Sequence, residues 1–261
     1  MLDELWIRSL HVSSLRRRDL HAEHADHVVF QASTIGALLD GAYEGDLSVA
    51  ELAEHGDHGV GTFNGLDGEL IAVDGEFFRA DHAGDVASIP GETLTPFAAV
   101  AWFSPEVHFS LPAGSGLSEL SAEIECRVPD SDVSLAVRVD GGFELIRARS
   151  VPRQEPPYKP LTEVVADQTV FELADVTGTL VGFRFPDQSA GIEAAGYHLH
   201  FVTTDRQRGG HVLEFRGGAE LAVEVDSETE LRVELPPGVE LEAQHADAAL
   251  KTALDRVERA G

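Results

Sequence analysis

Residues 196–214, GYHLHFVTTDRQRGGHVLE, constrain this chain more than any other stretch. Residues two apart in a β-strand project to the same face. His198 and His200 therefore point one way and Leu199 the other, while Phe201 and Val202 prolong the run. The polar segment 203–210 ends in a Gly-Gly pair, which reads as a turn. His211, Val212 and Leu213 begin a second run. A hairpin of that length returns His211 roughly opposite His200. Three imidazoles on one face can hold one divalent metal and leave coordination positions open, the mark of a catalytic ion rather than a structural one. Being neutral, they also leave the full charge of the ion available to polarise a substrate. The same histidines also read as ordinary polar residues satisfied within strands, and an H-x-H pair alone does not separate the two readings. H-x-H followed by a distant His suggests a cupin, but that pattern wants a Glu four residues after the second His, and position 204 is Thr.

Charge sets the class of partner. Asp and Glu total 46 against 19 Lys and Arg, a formal net charge of −27. Nucleic acid and anionic membranes both need positive surface and are disfavoured. Lys159 and Lys251 are the only lysines, so the remaining basic residues are arginine. Excess acid with almost no lysine resembles the surfaces of proteins from salt-loving organisms, where molar salt shortens the Debye length to about 3 Å. A merely acidic protein from a high-GC genome is the other reading. The single cysteine, Cys126, excludes an intrachain disulfide. The N-terminus lacks a continuous apolar stretch behind a basic one, and no run approaches the roughly 20 apolar residues of a membrane span. The expectation is a soluble cytoplasmic protein.

The chain has 261 residues, enough for one large domain or two small ones. Residues 1–27 read as a polar tail or short helix. His21, His24 and His27 recur in it every third residue, and Arg16, Arg17 and Arg18 are too few for a nucleic-acid arm. VVFQ (28–31) predicts a strand. Ser33 or Thr34 caps a helix through IGALLDG that Gly41 ends, and Ser48 with Glu51 forms a capping box. Residues 59–78 predict a meander of short strands, punctuated by Leu66-Asp67-Gly68 and Asp74-Gly75. Glu69 opens one of those strands, either as an exposed edge residue or as an inward functional acid. Residues 94–110 read as a strand followed by a loop, and 118–126 as a short helix or a strand. LAVRV (135–139) and FELIRAR (143–149) around Asp140-Gly141-Gly142 predict a hairpin, with Arg147, Arg149 and Leu145 on one face. VPRQEPPYKPL (151–161) holds four prolines in eleven residues and can be neither helix nor central strand. It reads as a linker, dividing an N-terminal extension (1–27), an N-terminal α/β domain (28–152) and a C-terminal domain (153–261). Residues 170–173 and 178–185 predict strands. Residues 221–225 and 231–235 alternate apolar and acidic residues, as half-exposed antiparallel strands do. A terminal helix is striped by Leu250, Leu254 and Val257. Glu258 stands at its unfavourable dipole end, although a solvated terminal Glu is the ordinary explanation.

Taken together, FQASTIGALLDGAYEGD (30–46), HGDHGVGTFNGLDGELIAVDGEFF (55–78), RSVPRQEPPYKPL (149–161) and GFRFPDQSAGIEAAGYHLHFVTTDRQRGGHVL (182–213) resemble the α-acetolactate decarboxylases. The resemblance runs from about Phe30 to the C-terminus and is loose over 104–134. It implies an α/β fold of the α+β type, with two domains built on mixed and antiparallel sheets with flanking helices, usually in a homodimer. It implies a divalent metal, Zn2+ above others, on His198, His200 and His211. Glu69, Arg149 and Glu258 become the implied catalytic residues and Thr62 a substrate-binding one. The implied reaction converts 2-acetolactate to acetoin and CO2. Arg149 presents a permanently charged planar fork that orients the carboxylate or holds the developing oxyanion. Glu69 or Glu258 then supplies a proton, or serves as a ligand. Another metal-dependent lyase, hydrolase or dioxygenase on the same scaffold is the alternative. Neither a cysteine pair nor a dinucleotide fingerprint suggests a redox role.

Overall fold

A computed structural model describes residues 11–15, 21, 24–235, 252, 253 and 257. In chain order come β1 (His11–Leu15), β2 (Val28–Ala32), helix α1 (Ile35–Leu39), β3 (Leu47–Ser48), α2 (Val49–Leu52), β4 (His58–Thr62), β5 (Glu69–Val73), β6 (Glu76–Ala80), β7 (Val86–Ser88), β8 (Leu94–Thr95) and β9 (Phe97–Ala101). Then follow β10 (Val107–Leu111), α3 (Leu117–Arg127), β11 (Ser134–Ser150), α4 (Leu161–Val164), β12 (Thr169–Phe185), β13 (Gly196–Thr203), β14 (Gly209–Gly217), β15 (Leu221–Glu228) and β16 (Glu230–Glu234). The class is α+β: mostly strands, with few and short helices.

Two large sheets carry the fold. An eight-stranded sheet runs β1-β16-β2-β9-β4-β5-β6-β7, and a six-stranded one runs β10-β15-β11-β12-β13-β14. Local sequence explains several elements directly. Thr34 accepts a hydrogen bond from the Ala37 N–H and starts α1. Ser48 and Glu51 make the reciprocal capping box that starts α2. Asp74 and Gly75 both adopt positive φ, 55° and 75°, between β5 and β6. That is the geometry a two-residue hairpin demands.

Where a hairpin is expected at Asp140-Gly141-Gly142, β11 instead runs unbroken for 17 residues. The glycines mark a change of neighbour, not of direction. Residues 134–140 pair with β15, and 143–149 pair with β14. Gly141 packs there against Leu221: a Cβ on it would lie 2.7 Å from the end of the Leu221 side chain. Because β14 also pairs with β13, the ladder β11-β12-β13-β14 closes back on β11. β12 is likewise one strand over 169–185. β11 and β12 pair along their lengths, so the proline-rich segment joins neighbouring strands of one sheet.

Three further expectations need correction. Residues 107–111 form a strand, not loop, because β15 offers them a partner. Residues 11–15 form a strand rather than tail or helix, paired parallel with β16. The alternation at 221–225 does mark a half-exposed strand, antiparallel to β10 and β11. But β16 pairs parallel with β1 and β2 and its Glu234 is buried, so at 231–235 the same pattern did not mark an antiparallel strand. His24 stacks on Trp102 and His27 contacts Asp226, so these histidines serve separate contacts. The expected terminal helix lies mostly outside the described residues; Val257, within it, is helical and buried.

One apolar core lies between the sheets, with Val60, Phe97, Ala136, Phe183 and Phe185 among its members, and α1 and α4 pack into it. A second fills the six-stranded sheet around Phe143, Phe201 and Phe215. The closed ladder and the β4-β5 hairpin meet at the first core's edge, where the polar site lies.

Candidate metal centre

Strand register assembles the site. His198 and His200 share a face of β13, and His200 sits directly opposite His211 on β14. His211 in turn lies opposite Arg149 on β11. Ladder closure therefore brings three strands to one point. The imidazole centroids stand 5.1, 5.1 and 5.3 Å apart. One ring nitrogen from each lies within 4.8 Å of the others. All three histidines are buried. β12 backs them closely: a Cβ on Gly182 would fall 2.1 Å from the His198 carbonyl oxygen, so only glycine permits that approach.

The chemistry of each ring follows from its neighbours. His200 Nδ1 lies 2.7 Å from the Leu70 carbonyl oxygen. A carbonyl only accepts, so Nδ1 donates and Nε2 keeps its lone pair. That Nε2 is buried without a hydrogen bond, 3.7 Å from a Glu69 carboxylate oxygen. His198 Nδ1 is also buried without a hydrogen-bond partner. Burial, then the charge of Arg149, lowers the His198 pKa to about 3. Burial first, with His198 and Arg149 adding to it, holds His200 well below its ordinary value. Both imidazoles are held neutral, and the His200 lone pair is on Nε2, the nitrogen that turns away from Leu70. The donor set can hold a divalent metal, and the Leu70 carbonyl is the outer partner that fixes one ligand's tautomer.

A cavity opens beside the rings. Its empty space, with the open mouth included, is about 440 Å³. His198, His211, Glu69, Arg149 and Thr62 line it together. Glu69 and Thr62 face each other across the β4-β5 ladder. The Thr62 hydroxyl donates to the Gly68 carbonyl at 2.8 Å, leaving its oxygen lone pairs to accept. Arg149 is 5 % exposed, and its Nε has no hydrogen-bond partner. Glu258 lies outside the described residues, although its neighbour Val257 lines the cavity.

The apolar walls escaped sequence reasoning. Ile35, Leu38, Leu66, Phe97, Val151 and Leu161 close the cavity from four separate segments. Only Val151, two residues past Arg149, and Leu66, inside GTFNGLDGE, carried a local hint. Two buried titratable groups were missed as well. His58 stacks on Phe103 and lies 3.1 Å from the Gly182 carbonyl oxygen. Glu193 is fully buried beside Ser134.

Three histidines that can hold a metal, with an acid and an arginine on one small cavity, define an enzyme that works on a small molecule. A model of the family described as "Alpha-acetolactate decarboxylase" matches residues 29–248, and the chain belongs to that family. It is 43 % identical over 236 residues to an alpha-acetolactate decarboxylase of Methylococcus capsulatus, covering 90 % of each chain. It is 42 % identical over 241 residues to one of Methanosarcina mazei, covering 91 % of this chain and 82 % of that one. The crystal structure of alpha-acetolactate decarboxylase from Bacillus subtilis strain 168 superposes with a TM-score of 0.83 at 33 % identity, over 90 % of this chain and 100 % of that one.

Proposed function

We propose that this chain decarboxylates 2-acetolactate to acetoin and CO2, with a divalent metal, Zn2+, held by His198, His200 and His211. The observation that carries the reading is the convergence of three inward ring nitrogens with Glu69, Arg149 and Thr62 on one cavity. When bound, the ion supplies a Lewis acid for the ketone and hydroxyl oxygens of the substrate.

The protein's own residues do the rest. Arg149 carries a permanent charge in a buried setting and orients the substrate carboxylate before it leaves. Thr62 presents an acceptor to the substrate hydroxyl. The apolar walls exclude water, which strengthens each of these contacts. Departure of CO2 leaves an electron pair that flows onto the ketone oxygen, and Arg149 is placed to offset that charge. Protonation at carbon completes acetoin. Glu69 supplies that proton by our reading, with Glu258 as the second candidate. The Leu70 carbonyl keeps His200 in one tautomer throughout.

We further read the chain as cytoplasmic and homodimeric, and its acid excess as an adaptation to salt. Among the described residues no helix is long and apolar enough to cross a membrane. Light scattering tests the dimer. A circular dichroism series from dilute buffer to molar salt tests the adaptation, and an unchanged spectrum would count against it.

The deciding assay measures acetoin from racemic 2-acetolactate before and after chelation, then with Zn2+ restored. Activity lost and regained with the metal supports the reading. No acetoin from folded, metal-loaded protein would transfer the site to another metal-assisted reaction.

A further inference from the structure

A second buried polar cluster lies where the chain passes between the two sheets. Asp226 and Glu228, two residues apart on β15, share a face, and neither has exposed surface. The β9–β10 connection and the segment before β2 flank that face. Asp226 is satisfied: one oxygen accepts the Ser104 N–H at 2.7 Å, and the other lies 3.0 Å from His27 Nδ1. Glu228 is not: both its carboxylate oxygens are buried without a hydrogen-bond partner. Asp26, bridged to Trp102, stands at the solvent side with its side chain 59 % exposed. The crossing from β15 to β16 is tied there too, since the Thr229 N–H donates to the His27 carbonyl at 2.9 Å.

A buried carboxylate without a partner is costly, and either a proton or a cation can offset it. Burial, with the charges of Asp226 and Asp26, pushes the Glu228 carboxyl well above its ordinary value, so without a counter-ion it holds a proton. A proton neutralises Glu228 alone and leaves the charge of Asp226 and Asp26 unmet. A cation engages the carboxylate oxygens and offsets the neighbouring acids as well. Among the described residues neither Lys nor Arg pairs with Asp26, Asp226 or Glu228; the ion-pair partners there are His24 and His27. Oxygen donors select hard cations. The three acids do not converge as the histidines do, the histidine triad being the only such group among the described residues. An ion held by one or two carboxylates and keeping water in its shell fits that spacing.

We propose that Glu228 and Asp226, with Asp26 at the mouth, form a second site for a hard divalent cation of the Ca2+ and Mg2+ class, which clasps the junction of the two sheets. Binding exchanges the Glu228 proton for the ion. The site is independent of the histidine centre and of the reaction assigned to it.

Ca2+ is the probe, because it prefers oxygen and leaves a Zn2+-loaded histidine site alone. Zn2+-loaded protein is titrated by calorimetry in two buffers of different ionisation heat, and melted with Ca2+ or with NaCl of matched ionic strength. Saturating Ca2+ is expected to raise Tm by about 5 °C beyond the NaCl control. Binding is expected to release about one proton per ion. Glu228→Gln mimics the neutral acid and is expected to fold and lose both responses. An equal response in that variant, or no Ca2+ effect beyond NaCl, overturns the proposal. If Glu228→Gln fails to fold, the exposed Asp26→Asn carries the test: weaker Ca2+ affinity supports the site, and unchanged affinity overturns it.

Discussion

Around the cavity the buried titratable groups are mostly bases: His198, His200, His211 and Arg149, with the acid Glu69 among them. Where the sheets exchange strands they are acids, Asp226 and Glu228, and another acid, Glu193, is buried in front of β13. Both sets sit out of water, yet their demands differ. An imidazole sheds its proton at ordinary pH, becomes neutral and still offers a lone pair. A buried carboxylate that sheds its proton becomes charged and needs a partner. The first kind suits a ligand set; the second makes a place that takes a proton or a cation. The physical price of burial is the same, and the side-chain chemistry decides what the burial is good for.

The comparison can be broken most sharply at the histidine centre. His200→Ala removes the ligand whose tautomer the Leu70 carbonyl sets. Metal affinity is expected to fall more than about 100-fold, and acetoin formation with it. Unchanged metal content by chelator competition would sink the assigned ligand set. The acids come next. Glu69→Gln keeps size and removes the titratable proton, so kcat is expected to drop about 10²–10⁴-fold with metal content preserved. The parallel Glu258→Gln assay separates the two candidate donors, because the larger loss marks the acid. Arg149→Lys keeps charge without the planar fork, and a kcat/KM loss of about 10²-fold is expected. A lysine variant with wild-type kinetics would reduce Arg149 to a bulk charge.

The smallest effects concern pH and stability, and they carry opposite signs. Burial lowers the His58 pKa from 6.5 to about 4. Below pH 6.5 the unfolded chain takes a proton that the folded imidazole refuses. His58 therefore weakens the fold as pH falls from 6.5 toward 4, and not above that window. Burial raises Glu193 from 4.5 to about 8. There the folded chain holds a proton that the unfolded one releases, so this contribution is complete below pH 4.5 and is lost as pH rises toward 8. Urea midpoints across pH 5 to 8.5 check both. Glu193→Gln is expected to flatten the alkaline decline and leave the acid limb unchanged. A variant that declines as steeply as the parent would remove Glu193 from the account.

Much of the fold was legible where the signal is local. The Asp74-Gly75 turn, the Ser48–Glu51 capping box and the Thr34 cap each depend on residues within a few positions. The Asp140-Gly141-Gly142 stretch misled because Gly141 packs against Leu221 and the strand changes its neighbour there, both distant in sequence. The parallel pairing of β16 and the strand at 107–111 were hidden for the same reason. At the site, the i, i+2 spacing of His198 and His200 was visible, while Glu69 could have been an exposed edge residue.

By itself the sequence determined which side chains share a face, since strand periodicity is a property of the backbone and needs no partner. It also determined the turn that returns His211, the family and the charge. Tertiary structure decided what those faces meet. Closure of β14 onto β11 set Arg149 against His211. The β5 carbonyl of Leu70 chose the His200 tautomer, and walls from four segments closed the cavity. Burial is a property of the assembled fold, so only there are His58, His198 and His200 held neutral and the carboxyls of Glu193 and Glu228 pushed above their ordinary values.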